Sequence, residues 1–353
     1  MKKLLACAVA ATLLPVMLSA RAPKKTAQWL AGQPLPAAVT DNAVAATDLG
    51  GAPRIFSMLG MDESKTPDGI SQDAFSLDTA AGTWQRLKRV PGAQGRLAST
   101  AQAVGWRVFL LGGYTVSADG KETSLSNVDV LDVLSGSWGS AAPIPIPADD
   151  AVSGVMKQYV YLISGWSQID NVNNVQAYDT ERNVWVQATP VIGPPVFGHA
   201  GAIIANTIVY CDGVKVDPSQ KPRFVMSNEC YRGEISSTAP ALIRWKKIAP
   251  HPGPPRYRMA AGVYPPRGLI VFAGGTTNPY NYNGVGYNGE PSEPESGVFA
   301  YDVARNRWIT LPPLAEASMD HRGLVFAAGG MYLIGGMRSG QKVVPNVMRL
   351  EIP

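Results

Sequence analysis

The sequence predicts an all-β chain: six copies of one four-stranded antiparallel unit, closed into a ring by the N-terminal strand. Three markers recurring about every 50 residues predict it. The first is a hydrophobic strand that runs into small residues, often Gly-Gly, at 55–60, 108–113, 160–165, 208–213, 269–275 and 332–336. The second is an apolar or aromatic residue beside an acid: Leu77-Asp78, Leu131-Asp132, Tyr178-Asp179 and Tyr301-Asp302, with Tyr231-Arg232 as a departure. The third is a tryptophan five to seven residues further on, at Trp84, Trp138, Trp185 and Trp308, with Trp245 arriving later in the fourth unit.

The clearest unit runs from Asp150 to Trp185. Its four short apolar stretches, 150–155, 159–165, 175–179 and 184–186, are separated by turn residues. Each reads as a strand, and one such sheet is too small to bury both its faces alone. Copies packed face to face solve that. The sixth unit has its Gly-Gly and its third strand, 346–350, but the chain ends before its tryptophan, while Trp29 stands near the start with no strands before it. A ring reconciles the two. The strand around Gln28, Trp29 and Leu30 completes the last sheet, and six tryptophans then serve six blades across residues 23–353.

These offsets resemble Kelch repeats, and the resemblance covers nearly all of residues 23–353. It implies a six-bladed Kelch-type β-propeller in which the motif residues are scaffold. Glycines allow close backbone approach, the acids satisfy turn amides and the tryptophans fill space between blades. No strand leads through a glycine-rich nucleotide loop into a helix.

Hydrophobic residues make up 46% and charged residues 16% of the chain, which excludes a disordered protein. The net charge is only +4 and no basic run interleaves with aromatics, so nucleic acid is not an expected partner. Residues 1–22 read as a secretory signal: Lys2 and Lys3, an apolar core over 4–18, then small residues. About 15 apolar residues broken by Pro15 are short for spanning a bilayer, and Cys7 sits too early, inside that core, for a lipid anchor. Residues 23–353 are therefore expected in a periplasm or secreted, free of the membrane once the signal is cleaved. Cys211 ends one predicted strand and Cys230 lies on the next. An oxidising compartment lets them bridge, worth about 3 kcal/mol for a loop of that length; two unpaired buried thiols are the alternative.

Propeller topology places the loops before the first strand and between the second and third strands at one mouth of the central channel. The residues opening each first strand form an inner ring: Asp41, Asn42, Arg96, Asp149, Asp150, His199, Arg256, Arg258, Asp320, His321 and Arg322. They either brace the channel by pairing or contact a ligand, and Asp150, His199, Arg258 and Arg322 are the candidates for contact. In the fifth unit the loop 274–289 carries Tyr280, Tyr282 and Tyr287 among Asn278, Asn281, Asn283 and Asn288. Aromatic faces cover the C–H surface of a sugar and amides match its hydroxyls; a self-packed loop of Asn-Gly turns is the alternative.

A secreted propeller closed in this way, with Phe272-Ala-Gly-Gly followed by Asn281-Tyr282-Asn283-Gly284 and Tyr287, is similar to the periplasmic N-acetylneuraminate epimerase family, the sialic-acid mutarotases. The resemblance implies catalysis by a glutamate just after the fourth unit's glycine and an arginine downstream. Val214 and Arg223 occupy those places here. Arg223 is expected to hold a substrate carboxylate, and Lys215 is the nearest replacement for the missing acid as proton carrier, a solvated loop lysine being its ordinary reading. Mutarotation needs neither metal nor cofactor. His199, His251 and His321 lie in three different units, which does not suit a zinc site or the two-His, two-Tyr copper site of Kelch-type radical oxidases. The competing expectation is a propeller that captures a glycan, or a protein partner on its loop-rich face, without chemistry.

Overall fold

Each blade is dictated by burial that changes from the axis outward. First strands are built from small residues, such as Ala-Ala-Gly-Val-Tyr over Ala260–Tyr264, because six of them converge on the axis. Second strands such as Leu269–Ala273 are buried along their whole length, and the outermost strands, such as Val184–Ala188, leave most of their residues in water. The computed structural model describes residues 26–49 and 51–353, so the secretory signal expected over 1–22, with Cys7, lies outside the described residues.

Six four-stranded antiparallel sheets result. In the third, Val152–Met156, Tyr159–Ile163, Val175–Asp179 and Val184–Ala188 pair in chain order. The sixth runs Val325–Ala327, Gly330–Ile334, Val347–Glu351 and finally Gln28–Ala31 from the other end of the chain, with Trp29 opposite Leu350. The ring is closed as expected.

The tryptophans do more than fill space. Each indole N–H donates to a backbone carbonyl of the blade before it: Trp84 to Gln33, Trp138 to Lys88, Trp185 to Ala142, Trp245 to Thr189 and Trp308 to Ala249. Trp29 makes the same bond to Pro312, 3.1 Å away and 283 residues on. The acids of the second marker cap their turns: Asp132 Oδ1 accepts the amides of Leu134 and Ser135, and Asp179 Oδ1 those of Glu181 and Arg182. Cys211 and Cys230 are directly opposed partners in the fourth sheet and are bridged.

Between second and third strands, four blades raise a small two-stranded ribbon over the same mouth, a feature beyond the sequence reading. They are Tyr114–Val116 with Glu122–Ser124, Trp166–Ser167 with Asp170–Asn171, Val214–Val216 with Phe224–Met226, and Met337–Arg338 with Lys342–Val343. The fifth blade has its long loop there instead.

Candidate functional site

The site begins with one backbone position repeated six times. Asp41, Ala98, Asp150, Gly198, Arg258 and Asp320 each stand shortly before a first strand with φ between 49° and 68°. A left-handed turn at a non-glycine residue costs about 1 kcal/mol, so five such turns imply that surrounding structure holds them. Their amides link blade to blade around the axis: Asp150 N–H donates to Ala98 O, Gly198 to Asp150, Arg258 to Gly198 and Asp41 to Asp320. Asp41 Oδ1 takes the amide of Ala98 in place of its own carbonyl. At Gly198 a Cβ would sit 2.0 Å from the Tyr257 ring, which explains the glycine.

The left-handed turn sends the side chains of Asp41, Asp150, Arg258 and Asp320 toward the axis, where Arg322 joins them. Arg258 grips Asp150 with two prongs, Nε to Oδ1 at 3.1 Å and Nη2 to Oδ2 at 2.6 Å, and donates through Nη1 to Asp320 at 2.9 Å. Arg322 Nη1 pairs with Asp150, and its Nε lies 2.9 Å from Asp41 Oδ1. Tyr280 and Thr40 donate to Asp320 at 2.9 and 2.6 Å. All five charged groups are buried. Burial raises the Asp150 carboxyl, but Arg258 and Arg322 outweigh it and hold the group below the usual carboxylate range.

Three carboxyls against two guanidiniums leave one negative charge in excess, and Asp41 absorbs it. Burial pushes its pKa up to about 7 despite Arg322 and Arg258. The folded state therefore holds this proton more tightly than the unfolded chain. The Asp41 contribution to stability is complete below about pH 4 and is lost as pH rises toward 7, at about 1.4 kcal/mol per pH unit. Asp41→Asn needs no proton and is expected to lose that slope. Denaturant midpoints of both proteins between pH 4 and 7 check it, and parallel curves would refute the assignment.

This ionic cluster separates two spaces. On one side is an axial chamber of about 310 Å³ lined by first strands of all six blades with His199, His321 and Arg322. Burial keeps both imidazoles neutral at ordinary pH, with pKa values near 4 for His199 and 3 for His321. On the other side, under the ribbons, lies a cavity of about 330 Å³. Asp150 and Arg258 form part of its wall with Asp149, Glu122, Asn281 and Arg223, and Tyr114, Trp166, Phe197, Phe224 and Tyr287 supply aromatic surface. Tyr287 packs on Phe224 at 4.1 Å between ring centres, and Trp166 lies 5.9 Å from the same ring. The Arg223 guanidinium also lies over the Phe224 ring, 5.0 Å from its centre. Among the described residues its guanidinium has neither an ion pair nor a hydrogen bond, unlike Arg258 and Arg322.

Comparison with known proteins agrees with the geometry. No family model matches the chain. Kelch-like protein 15 of Gallus gallus is 28% identical over 116 residues, 32% of this chain. The chain spans only 23% of that relative's length. N-acetylneuraminate epimerase 1 of Escherichia coli is 24% identical over 346 residues, 93% of this chain and 79% of the relative. The solved structure of YjhT shares the fold with a TM-score of 0.72 at 14% identity, covering 91% of this chain and 97% of that one. The chain is a Kelch-repeat β-propeller.

On this Kelch propeller, six of the residues singled out from sequence reach the mouth cavity: Asp149, Asp150, Arg258, Arg223, Asn281 and Tyr287. The others are placed elsewhere. Lys215 lies between Val214, which is buried in the core, and Val216 on a ribbon strand, and is not among the residues lining the cavity. His199 and Arg322 line the axial chamber behind the ionic cluster. Tyr280 is wholly buried, its hydroxyl spent on Asp320, and Tyr282 packs against the apolar cluster of Met61 and Leu97. Asn283 caps its own turn by accepting the Val285 amide. Of the remaining ring residues, Asn42 bonds Ser57, Arg96 pairs with Asp129, and Arg256 donates to the Gly274 carbonyl. Glu122, Tyr114, Trp166, Phe197 and Phe224 enter the cavity without having been expected there. A periodic signal was present: the residue before each left-handed position bridges the residue after each second-strand glycine, as in Asp149 with Trp166 and Phe197 with Val214.

Proposed function

We propose that the mouth cavity of this Kelch propeller binds a sugar or sugar acid and exchanges its anomers. The observation that carries the reading is Arg223, an unpaired guanidinium beside a wall of Phe224, Tyr287 and Trp166. A carboxylate matches the guanidinium fork, ring C–H groups match the aromatic faces, and Asn281 offers an amide to hydroxyls. The name of the epimerase relative supplies the class of sugar acid. Ring opening and closure need one proton removed and one delivered, so no cofactor enters. The apolar leader and the bridged cysteines support an exported protein, periplasmic or secreted; no helix among the described residues is long and apolar enough to cross a membrane.

The test is stabilisation by N-acetylneuraminate and by glucuronate, read as a thermal shift that grows with ligand concentration. Arg223→Ala is expected to weaken binding by about 1.5–3 kcal/mol, the worth of a hydrogen bond to a charged group, with the unliganded melting temperature unchanged. An intact protein that neither sugar acid stabilises would defeat the reading. Lys215 is not among the residues lining the cavity, which favours a second reading, capture without chemistry. Exchange of anomeric NMR signals separates the two, because a pure binder leaves the exchange rate at its buffer value.

A further inference from the structure

We propose that Glu122 and Asp149 are the proton-carrying pair of the mouth cavity, Glu122 as base toward the anomeric hydroxyl and Asp149 as acid toward the ring oxygen. The inference rests on the sugar-acid reading of that cavity.

Geometry comes first. Both residues line the cavity that Arg223 lines. Glu122 opens the second strand of the ribbon Glu122–Ser124, and two residues further on Ser124 Oγ lies 2.5 Å from Asp149 Oδ2. Gln168 fixes that serine from the next blade, its backbone N–H donating to Ser124 Oγ and its side-chain amide to Ser124 O. One short ribbon thus positions both carboxyls, and they come from the second and third blades while Arg223 comes from the fourth. Neither residue belongs to the ionic cluster or to a turn cap.

The two environments set different protonation states. Asp149 is deeply buried beside the Asp150 charge, which keeps it protonated well above the usual carboxylate range and able to donate. Glu122 has its chain exposed and its carboxyl against the cavity wall. Burial raises it, while the Asn281 amide and Arg258 pull it back, and the net effect makes its carboxylate a stronger base than an exposed one. Environments that push two carboxyls apart assign one as acid and the other as base.

The step balances. The Glu122 carboxylate takes the anomeric hydroxyl proton, the anomeric carbon–ring oxygen bond breaks as the carbonyl forms, and the ring oxygen takes the proton of Asp149. After rotation about the bond next to the carbonyl, the hydroxyl attacks the other face and returns its proton to Asp149, while the carbonyl oxygen takes the proton from Glu122. Both groups end as they began, and nothing is oxidised or reduced.

The experiment measures anomer exchange of N-acetylneuraminate by NMR, above the buffer rate, beside its binding by titration. Glu122→Gln is expected to lower exchange about 100-fold or more with binding retained, since general acid–base catalysis contributes on that scale. Asp149→Asn, which keeps the shape that Ser124 contacts, is expected to lower exchange likewise. For the intact protein exchange rises with pH as Glu122 ionises, in the field of Asp149, Asp150, Arg258, Arg223, Tyr114 and Tyr287, and the Gln variant loses that limb. Unchanged exchange in Glu122→Gln overturns the assignment. Binding by the intact protein without accelerated exchange overturns it too but leaves the binding reading standing. Absence of binding removes the reading on which it rests.

Discussion

A chain that begins at Gly32 is expected to lose cooperative folding. The missing strand, Gln28–Ala31, supplies the outer edge of the sixth sheet, and Val347–Glu351 would become an open edge. The loss also removes the indole bond from Trp29 to Pro312, the link between sixth and fifth blades that every other blade pair makes through its own tryptophan. Trp29, together with Ile309 and Leu311, packs against a core that includes Leu350. Trp29→Ala alone is expected to cost about 2–4 kcal/mol, from partial burial of a large aromatic and one hydrogen bond. Denaturant melts followed by tryptophan fluorescence and circular dichroism check both forms. Coincident, full-height transitions in the truncated chain would show that the ring holds without its closing strand.

Replacing Arg258 is expected to destabilise the fold by about 3–5 kcal/mol, the usual cost of removing one partner from a buried ion network. Arg258 is buried, with Asp150 and Asp320 in direct contact and Asp41 3.8 Å away. Its guanidinium also lies over the rings of Tyr257 and Tyr280, at 5.0 and 5.2 Å. Arg258→Met keeps the stem and removes the charge, leaving three carboxyls to Arg322 alone. Adding Asp150→Asn is expected to restore part of the loss, because contacting groups in one network are not additive. The thermal stability of both single variants and of the double variant gives the coupling, and simple additivity would show that the cluster does not act as a unit.

The architecture was legible because its signals are short and repeated. Gly-Gly, an acid at a turn and a tryptophan each perform one local task, and each task recurs in most of the blades, so a departure such as Arg232 did not obscure the count. Trp29, out of place at the N-terminus, was explicable only by closure. The opposed cysteines followed from two adjacent strands. The site was less legible. Loop 274–289 looked like sugar-binding chemistry, yet Tyr280 and Tyr282 pack inside and only Tyr287 and Asn281 line the cavity. Lys215 was chosen as the nearest base in sequence, but it is not among the residues that line the cavity. Glu122 sits among Gly120, Lys121 and Thr123 and reads as one more solvated hairpin acid until the ribbon folds over the mouth.

Sequence alone determined how many blades there are, how they close and which residues are scaffold, because those tasks are decided within a few residues or between neighbouring strands. Only the tertiary structure decided which charges neutralise one another. Asp150 and Arg258 are 108 positions apart and Asp150 and Arg322 are 172, yet they meet at contact distance on the axis. Electrostatic pairing depends on separations of a few ångströms and on exclusion of water, so an arginine that is spent inside and one that is free at the mouth look the same until six blades bring their loops together.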